Sequence, residues 1–275
     1  MTVYPFVTWR LLHSAPTGGA TNMAVDEAVA RTAAKGQVPP TLRLYAWEPA
    51  CLSLGRGQPV TDVDCQALKA AGLGLVRRPT GGGAIFHVDE LTYSVIAPET
   101  EVRVAGGIVE SYRRLSAGLM RGLEQLGVAD LAADKRAAER RAENRRLKGP
   151  VCFESPSDYE ITTGGRKLVG SAQMRSRGVV LQHGTVPLHG DIARICPLLA
   201  ARPDPARVRA RAATVAEALG RTVTWSEVAG AVAAGFAEAL NIHLEPGALT
   251  DEERAWVEKL RAEKYATDEW THRVW

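Results

Sequence analysis

Cysteine is too sparse and too scattered in this sequence to hold a fold together. Cys51, Cys65, Cys152 and Cys196 are the only four in 275 residues, with no CxxC spacing and no histidine at metal-ligand spacing beside them. That excludes a disulfide framework and a zinc site, and fits reduced thiols in a cytoplasm. Aromatic residues are few, 6% of the chain, and they do not interleave with a basic stripe, which argues against a nucleic-acid surface. Neither sign of charge dominates, since 34 Lys and Arg against 31 Asp and Glu leave a formal +3. No apolar window is long enough to span a membrane. The opening MTVYPFVTWRLLHSAPTGG lacks the cationic start and long apolar core of a signal peptide, so a cytoplasmic protein is expected.

What the chain has is apolar mass and turn chemistry. Hydrophobic residues make up 45% of it, enough for one sizeable core, and no repeat or low-complexity linker divides it. The expectation is one α/β domain over residues 1–275 with a mainly helical part from about residue 191. Strand patterns fall at Trp9–Leu12, Thr41–Trp47, Cys51–Gly55, Leu91–Val95, Lys167–Ala172 and Val179–Gly184. Asp158–Ile161 reads as a strand turning through Gly164-Gly165 into the Lys167 strand. Thr21 or Asn22 is expected to cap a first helix, with Asp26 and Glu27 in its first turn facing the helix dipole. Val109–Leu126 and Val228–Leu240 read as apolar-faced helices, and Thr250-Asp251-Glu252-Glu253 as a capping box.

The stretch RRPTGGGAIFHVDELTYSV, residues 77–95, is the densest signal. Two cations, Arg77 and Arg78, precede three glycines, Gly81, Gly82 and Gly83, and His87 follows. Consecutive glycines cost backbone entropy and supply no packing, so the chain there needs φ > 0 or a close approach of backbone to something bound. The competing reading is a Gly-rich turn with solvated arginines. The segment Asp134–Lys148 carries seven cations against three acids and almost no apolar face. It reads as a solvated helix or loop, or as a basic lid.

Cys152 lies in a loop bounded by Pro150 and Pro156, whereas Cys51 and Cys196 sit in apolar runs and Cys65 on a short polar helix. An accessible thiol becomes a nucleophile when a cation lies close by. Lys167 opens an apolar strand that ends in Gly170-Ser171-Ala172. It is either a strand-entry lysine facing solvent or a cation on a pocket floor, placed to meet an acyl or phosphate oxygen or to favour a thiolate. His87 and His183 each stand alone beside strands, a position that more often serves structure than catalysis.

Together NMAVDEAV, RRPTGGGAIFHVDELTYSV, VCFESPSDYEI and GGRKLVGSAQMRSRGVVLQHGTV resemble the biotin/lipoate protein ligase superfamily, over most of the chain. The resemblance implies its catalytic-domain fold, a mixed β-sheet flanked by helices. It implies an acyl tunnel formed by the glycine-rich stretch and the Lys167 strand, with Arg77, Arg78, Gly81, Gly82, Gly83, His87, Gly170, Ser171 and Ala172 as substrate-binding residues. CFESPSDYE followed by Lys167 is similar to the cysteine-type octanoyltransferases of that superfamily. On that likeness Cys152 is the nucleophile and Lys167 its partner, and octanoate passes from acyl carrier protein to a lysine of a lipoyl domain or glycine cleavage H protein, with no metal or prosthetic group. Val88 stands where related sequences often carry Asp after the histidine. The alternatives are an ATP-dependent lipoate–protein ligase and a non-catalytic acyl- or carrier-binding protein.

Overall fold

The computed structural model describes residues 4–133 and 160–273. In chain order it contains β1 (Val7–His13), α1 (Gly19–Ala34), β2 (Thr41–Tyr45), β3 (Cys51–Leu54), α2 (Cys65–Ala70), β4 (Gly74–Arg77), β5 (Ile85–His87) and β6 (Glu90–Pro98). There follow α3 (Ile108–Gln125), β7 (Leu131–Ala133), β8 (Ile161–Thr163), β9 (Arg166–Ser176) and β10 (Val179–Pro187). The C-terminal part holds α4 (Pro205–Arg211), α5 (Val215–Leu219), α6 (Trp225–Leu240), β11 (Ile242–Pro246), α7 (Asp251–Leu260) and α8 (Asp268–Thr271). A 3₁₀ segment covers Ile192–Leu198 and a π turn Arg261–Tyr265.

The larger sheet runs β11-β1-β2-β6-β10-β9-β8-β7. β1 pairs in parallel with both β2 and β11, and the other pairings in this sheet are antiparallel. A three-stranded sheet, β4-β3-β5, stands beside it. The mixed sheet flanked by helices is the expected architecture.

Alternation along the central strands assigns its two faces. Tyr93, Val95 and Ala97 of β6 join a core with Leu115, Leu119 and Leu123 of α3 and Val232 and Phe236 of α6. Ile96 and Leu181 point the other way, into a core with Met23, Ala28 and Val29 of α1 and Val257 and Leu260 of α7. α3 and α6 approach so closely that a Cβ on Gly235 would lie 2.2 Å from the Gly122 amide nitrogen. The expected capping box at Thr250 is present, and its Glu253 is also the buried partner of Arg10 on β1, at 2.6 Å.

One expectation is corrected. α1 begins at Gly19, with Gly18 as N-cap and no side-chain cap. Asp26 therefore lies in the middle of the helix, fully buried, rather than in a first turn facing the dipole. The part beyond residue 191 is mainly helical, and β11 adds an edge strand to the large sheet between α6 and α7.

Candidate active site

A slot lies between the small sheet, α1 and the centre of the large sheet. Its walls include Met23 of α1, Tyr45, Trp47, Ser53, Arg78, Ile85, His87 and Thr92, with Gly170, Ser171 and Ala172 of β9 and His183, Gly184 and Thr185 of β10. Gly184 is required there by space. A Cβ on it would sit 2.6 Å from both the Gly170 carbonyl oxygen and the Tyr93 ring.

Most of these residues are polar, yet their polar atoms are turned into one another, and two hydrogen-bonded arrays account for them. In the first, Asp26 accepts from Arg43 (2.7 Å), Ser94 (2.8 Å), Tyr45 (3.2 Å) and His183 Nδ1 (3.1 Å). Burial pushes the Asp26 carboxyl up, but Arg43 and His183 together hold it below its ordinary value. Burial, against the pull of Asp26, lowers His183 and favours its neutral imidazole. With Nδ1–H given to the carboxylate, His183 Nε2 accepts from the Thr80 hydroxyl at 2.6 Å.

In the second array, Glu90 accepts from Thr185 and, at 2.5 Å, from the Thr92 hydroxyl. His87 Nδ1 lies 2.6 Å from Glu90, and its Nε2 is 2.7 Å from Ser53 Oγ. The Trp47 indole donates to Thr92 at 2.7 Å and stacks on the His87 ring at 3.8 Å. What remains to face the slot is largely carbon and ring surface. Both ring nitrogens of both histidines are engaged, so neither is placed as a free base. The slot is narrow, about 20 Å³, little more than one water occupies.

The structure brings some of the expected substrate-binding residues together and sets others apart. Arg78, His87, Gly170, Ser171 and Ala172 are on the walls. Arg78 also donates to the carbonyls of Gly81 and Gly83, both at 2.7 Å, and so holds the glycine-rich turn. Arg77 is fully buried away from the walls and donates to the carbonyls of Gly55, Gln58 and Thr271. Of the three glycines only Gly82 has positive φ, +95°. Its carbonyl oxygen would be 1.9 Å from a Cβ on Gly55, so the close approach is backbone to backbone.

Lys167 is buried at the start of β9, where its Nζ meets Glu160 Oε1 at 2.5 Å. The Ala213 amide donates to its backbone carbonyl. Cys152 and the basic stretch 134–148 lie outside the described residues. Sequence reasoning did not single out Arg43, Ser53, Glu90, Thr92 or Glu160, nor the site role of Asp26. A cation in the apolar run Leu42-Arg43-Leu44 was a usable signal, because a strand buried on both faces must supply such a group with a buried partner.

A consequence for Lys167 follows from its ion pair. Lys167→Ala removes the cation that meets the buried Glu160 carboxylate at 2.5 Å, an expected loss of about 3–5 kcal/mol, whereas the double change Lys167→Met with Glu160→Gln recovers most of it. Urea denaturation of the two variants checks this. Equal stability of Lys167→Ala and the unmodified chain would show that Glu160 has another cation.

Comparison with known proteins places the fold. The family model described as the lipoyl protein ligase A/B catalytic domain matches residues 19–237. The chain belongs to this family. Among curated relatives, an octanoyltransferase LipM from Kyrpidia tusciae is 48% identical over 97% of this chain and 99% of its own length. One of the same name from Bacillus subtilis is 38% identical over 97% and 98%. Among solved structures, a lipoate-protein ligase A bound with ATP superposes at TM-score 0.80 with 26% identity, covering 97% of this chain and 99% of that one. A bipartite lipoate protein ligase of Thermoplasma acidophilum superposes at 0.79 with 25% identity, covering 97% and 96%. In this lipoyl ligase-type domain Arg78 and Ile85, on either side of the glycine-rich turn, and Gly170 to Ala172 of β9 line the same slot. No helix among the described residues is long and apolar enough to cross a membrane.

Proposed function

We propose that this chain is a protein octanoyltransferase of lipoate biosynthesis. It transfers an octanoyl group to a lysine of a lipoyl domain or glycine cleavage H protein. The observation that carries the reading is near full-length identity of 38–48% to curated octanoyltransferases, with a carbon-faced slot in the matched region. In the finer reading the donor is octanoyl-acyl carrier protein and the nucleophile is Cys152. The Cys152 thiolate attacks the donor thioester carbonyl, the carbon–sulfur bond to the carrier arm breaks, and the carrier thiolate leaves. The acceptor lysine, as a free amine, then attacks the Cys152 thioester. An amide forms, the thiolate is released, and the amine proton goes to solvent or a neighbouring base.

Two parts of the site fit these steps. The acyl chain gains about 0.8 kcal/mol for each methylene it buries in the slot. The slot is closed to about one water's volume, so a chain enters by parting its walls. Lys167, fixed by Glu160, supplies a cation at the head of β9. The glycine-rich turn and Lys167 are the proposed partners of the developing oxyanion.

The test is intact mass after incubation with octanoyl-acyl carrier protein and no nucleotide. One octanoyl group, released by hydroxylamine, is expected. Labelling only with free lipoate, ATP and magnesium would instead establish a ligase.

A further inference from the structure

A second cavity, an open cleft of about 430 Å³, adjoins the slot, and what separates them is thin. Glu27 and Ala30 of α1, Pro79, Met174 of β9, and Trp256 and Trp270 of the C-terminal helices are among its walls. Three elements independently set the spacing. On α1 the slot ends at Met23 and the cleft begins at Glu27, one helical turn or about 6 Å along the axis. On β9 the slot ends at Ala172 and the cleft begins at Met174, two residues or about 7 Å. Before the glycine-rich turn, Arg78 faces the slot and its neighbour Pro79 the cleft. Met23, Met174, Trp256 and Trp270 also belong to one apolar cluster.

The order along β9 gives the slot a direction. Lys167 comes first, the slot walls Gly170 to Ala172 next, and the cleft wall Met174 last. Lys167 is about 10 Å along the strand from Gly170. On the proposed function, on which this inference rests, the reacting carbonyl lies at the Lys167 end and the acyl methyl end points toward the cleft. Met23 is almost fully buried and shares the slot wall with His183, whose ring Asp26 and Thr80 hold in place.

We infer that Met23, backed by the Asp26–His183–Thr80 array, is the stop that sets the longest acyl chain this enzyme accepts. Hydrogen bonds fix the histidine. Met23 is the unbranched apolar side chain in the wall, and shortening it joins the slot to a cleft whose walls, beside the charged Glu27 and Arg31, include the apolar Ala30, Met174 and the two tryptophans.

The experiment compares acyl carrier proteins loaded with hexanoyl, octanoyl, decanoyl and dodecanoyl groups, using kcat/KM and the Cys152 adduct mass in competition. Met23→Ala is expected to raise the decanoyl-to-octanoyl ratio about fifteenfold, since each of the two newly buried methylenes is worth roughly fourfold. Met23→Phe is expected to shift preference toward hexanoyl. Met23→Val stands in for Met23→Ala if the latter does not fold. Unchanged length ratios in the folded variants overturn the stop while leaving octanoyl transfer intact. An unmodified chain that transfers no octanoyl group overturns both.

Discussion

Cys152→Ser is expected to lower nucleotide-free octanoyl transfer by several orders of magnitude and to remove the hydroxylamine-sensitive adduct. A thiol of ordinary pKa, about 8.5, is already a few per cent thiolate at neutral pH and more beside a cation, whereas a serine hydroxyl is almost wholly protonated. Any ester formed on serine is also a poorer acyl donor than a thioester. The other cysteines do not substitute. Burial pushes the Cys51 thiol up to about 12, Cys196 is buried, and Cys65 is exposed on α2, away from the slot walls. Peptide mapping of the adduct and the rate of octanoylation of an apo lipoyl domain measure the effect. Full activity of Cys152→Ser would mean that the acceptor lysine attacks the donor directly and that no acyl-enzyme forms.

Asp26→Ala is expected to be the most destabilising single change at the site. It leaves Arg43, none of whose surface is exposed, without its carboxylate, and frees the donors of Tyr45, Ser94 and His183 at once. Breaking a buried pair from one side costs about 3–5 kcal/mol, and the uncapped donors add to it. Urea denaturation reads this directly, and a loss below about 1 kcal/mol would refute it.

The same array predicts an acid limit. His183 has its folded value lowered by burial, so the stability this contributes is complete above about pH 6.5 and is lost as pH falls toward that lowered value. Asp26 is held low by Arg43 against burial, so its contribution is complete above about pH 4 and is lost below that. Stability should therefore decline in two stages on acidification, and Asp26→Ala should abolish the second.

How much of this was legible in the sequence depended on the range of the interaction. Local signals held: the turn at Gly164-Gly165, both with positive φ, and the Thr250–Glu253 capping box are set by neighbours in the chain. β11 escaped because an edge strand with mostly exposed residues shows no alternation, and Ile242 is its only buried member. α1 was started too late because its N-cap, Gly18, offers no side chain to recognise. The arrays at the slot were not readable at all, since Asp26 and His183 lie 157 residues apart and nothing local marks them as partners. Arg78, read from the sequence as a substrate contact, lines the slot, and its donors go to the glycine carbonyls, a use that only tertiary geometry reveals.

The pairing of β1 with β11 bears on how the chain is made. Val7 pairs with Ile242, a separation of 242 − 7 = 235 residues. During synthesis the first strand and its buried Arg10 emerge long before their edge partner and before Glu253, the carboxylate that neutralises that arginine. The nascent chain thus carries an open strand edge and an unpaired guanidinium until nearly all of it has left the ribosome, and closure of this border of the sheet belongs to the last stage of folding. A chain released before residue 253 would keep every residue of the slot and still lack the contact that seals the sheet behind it.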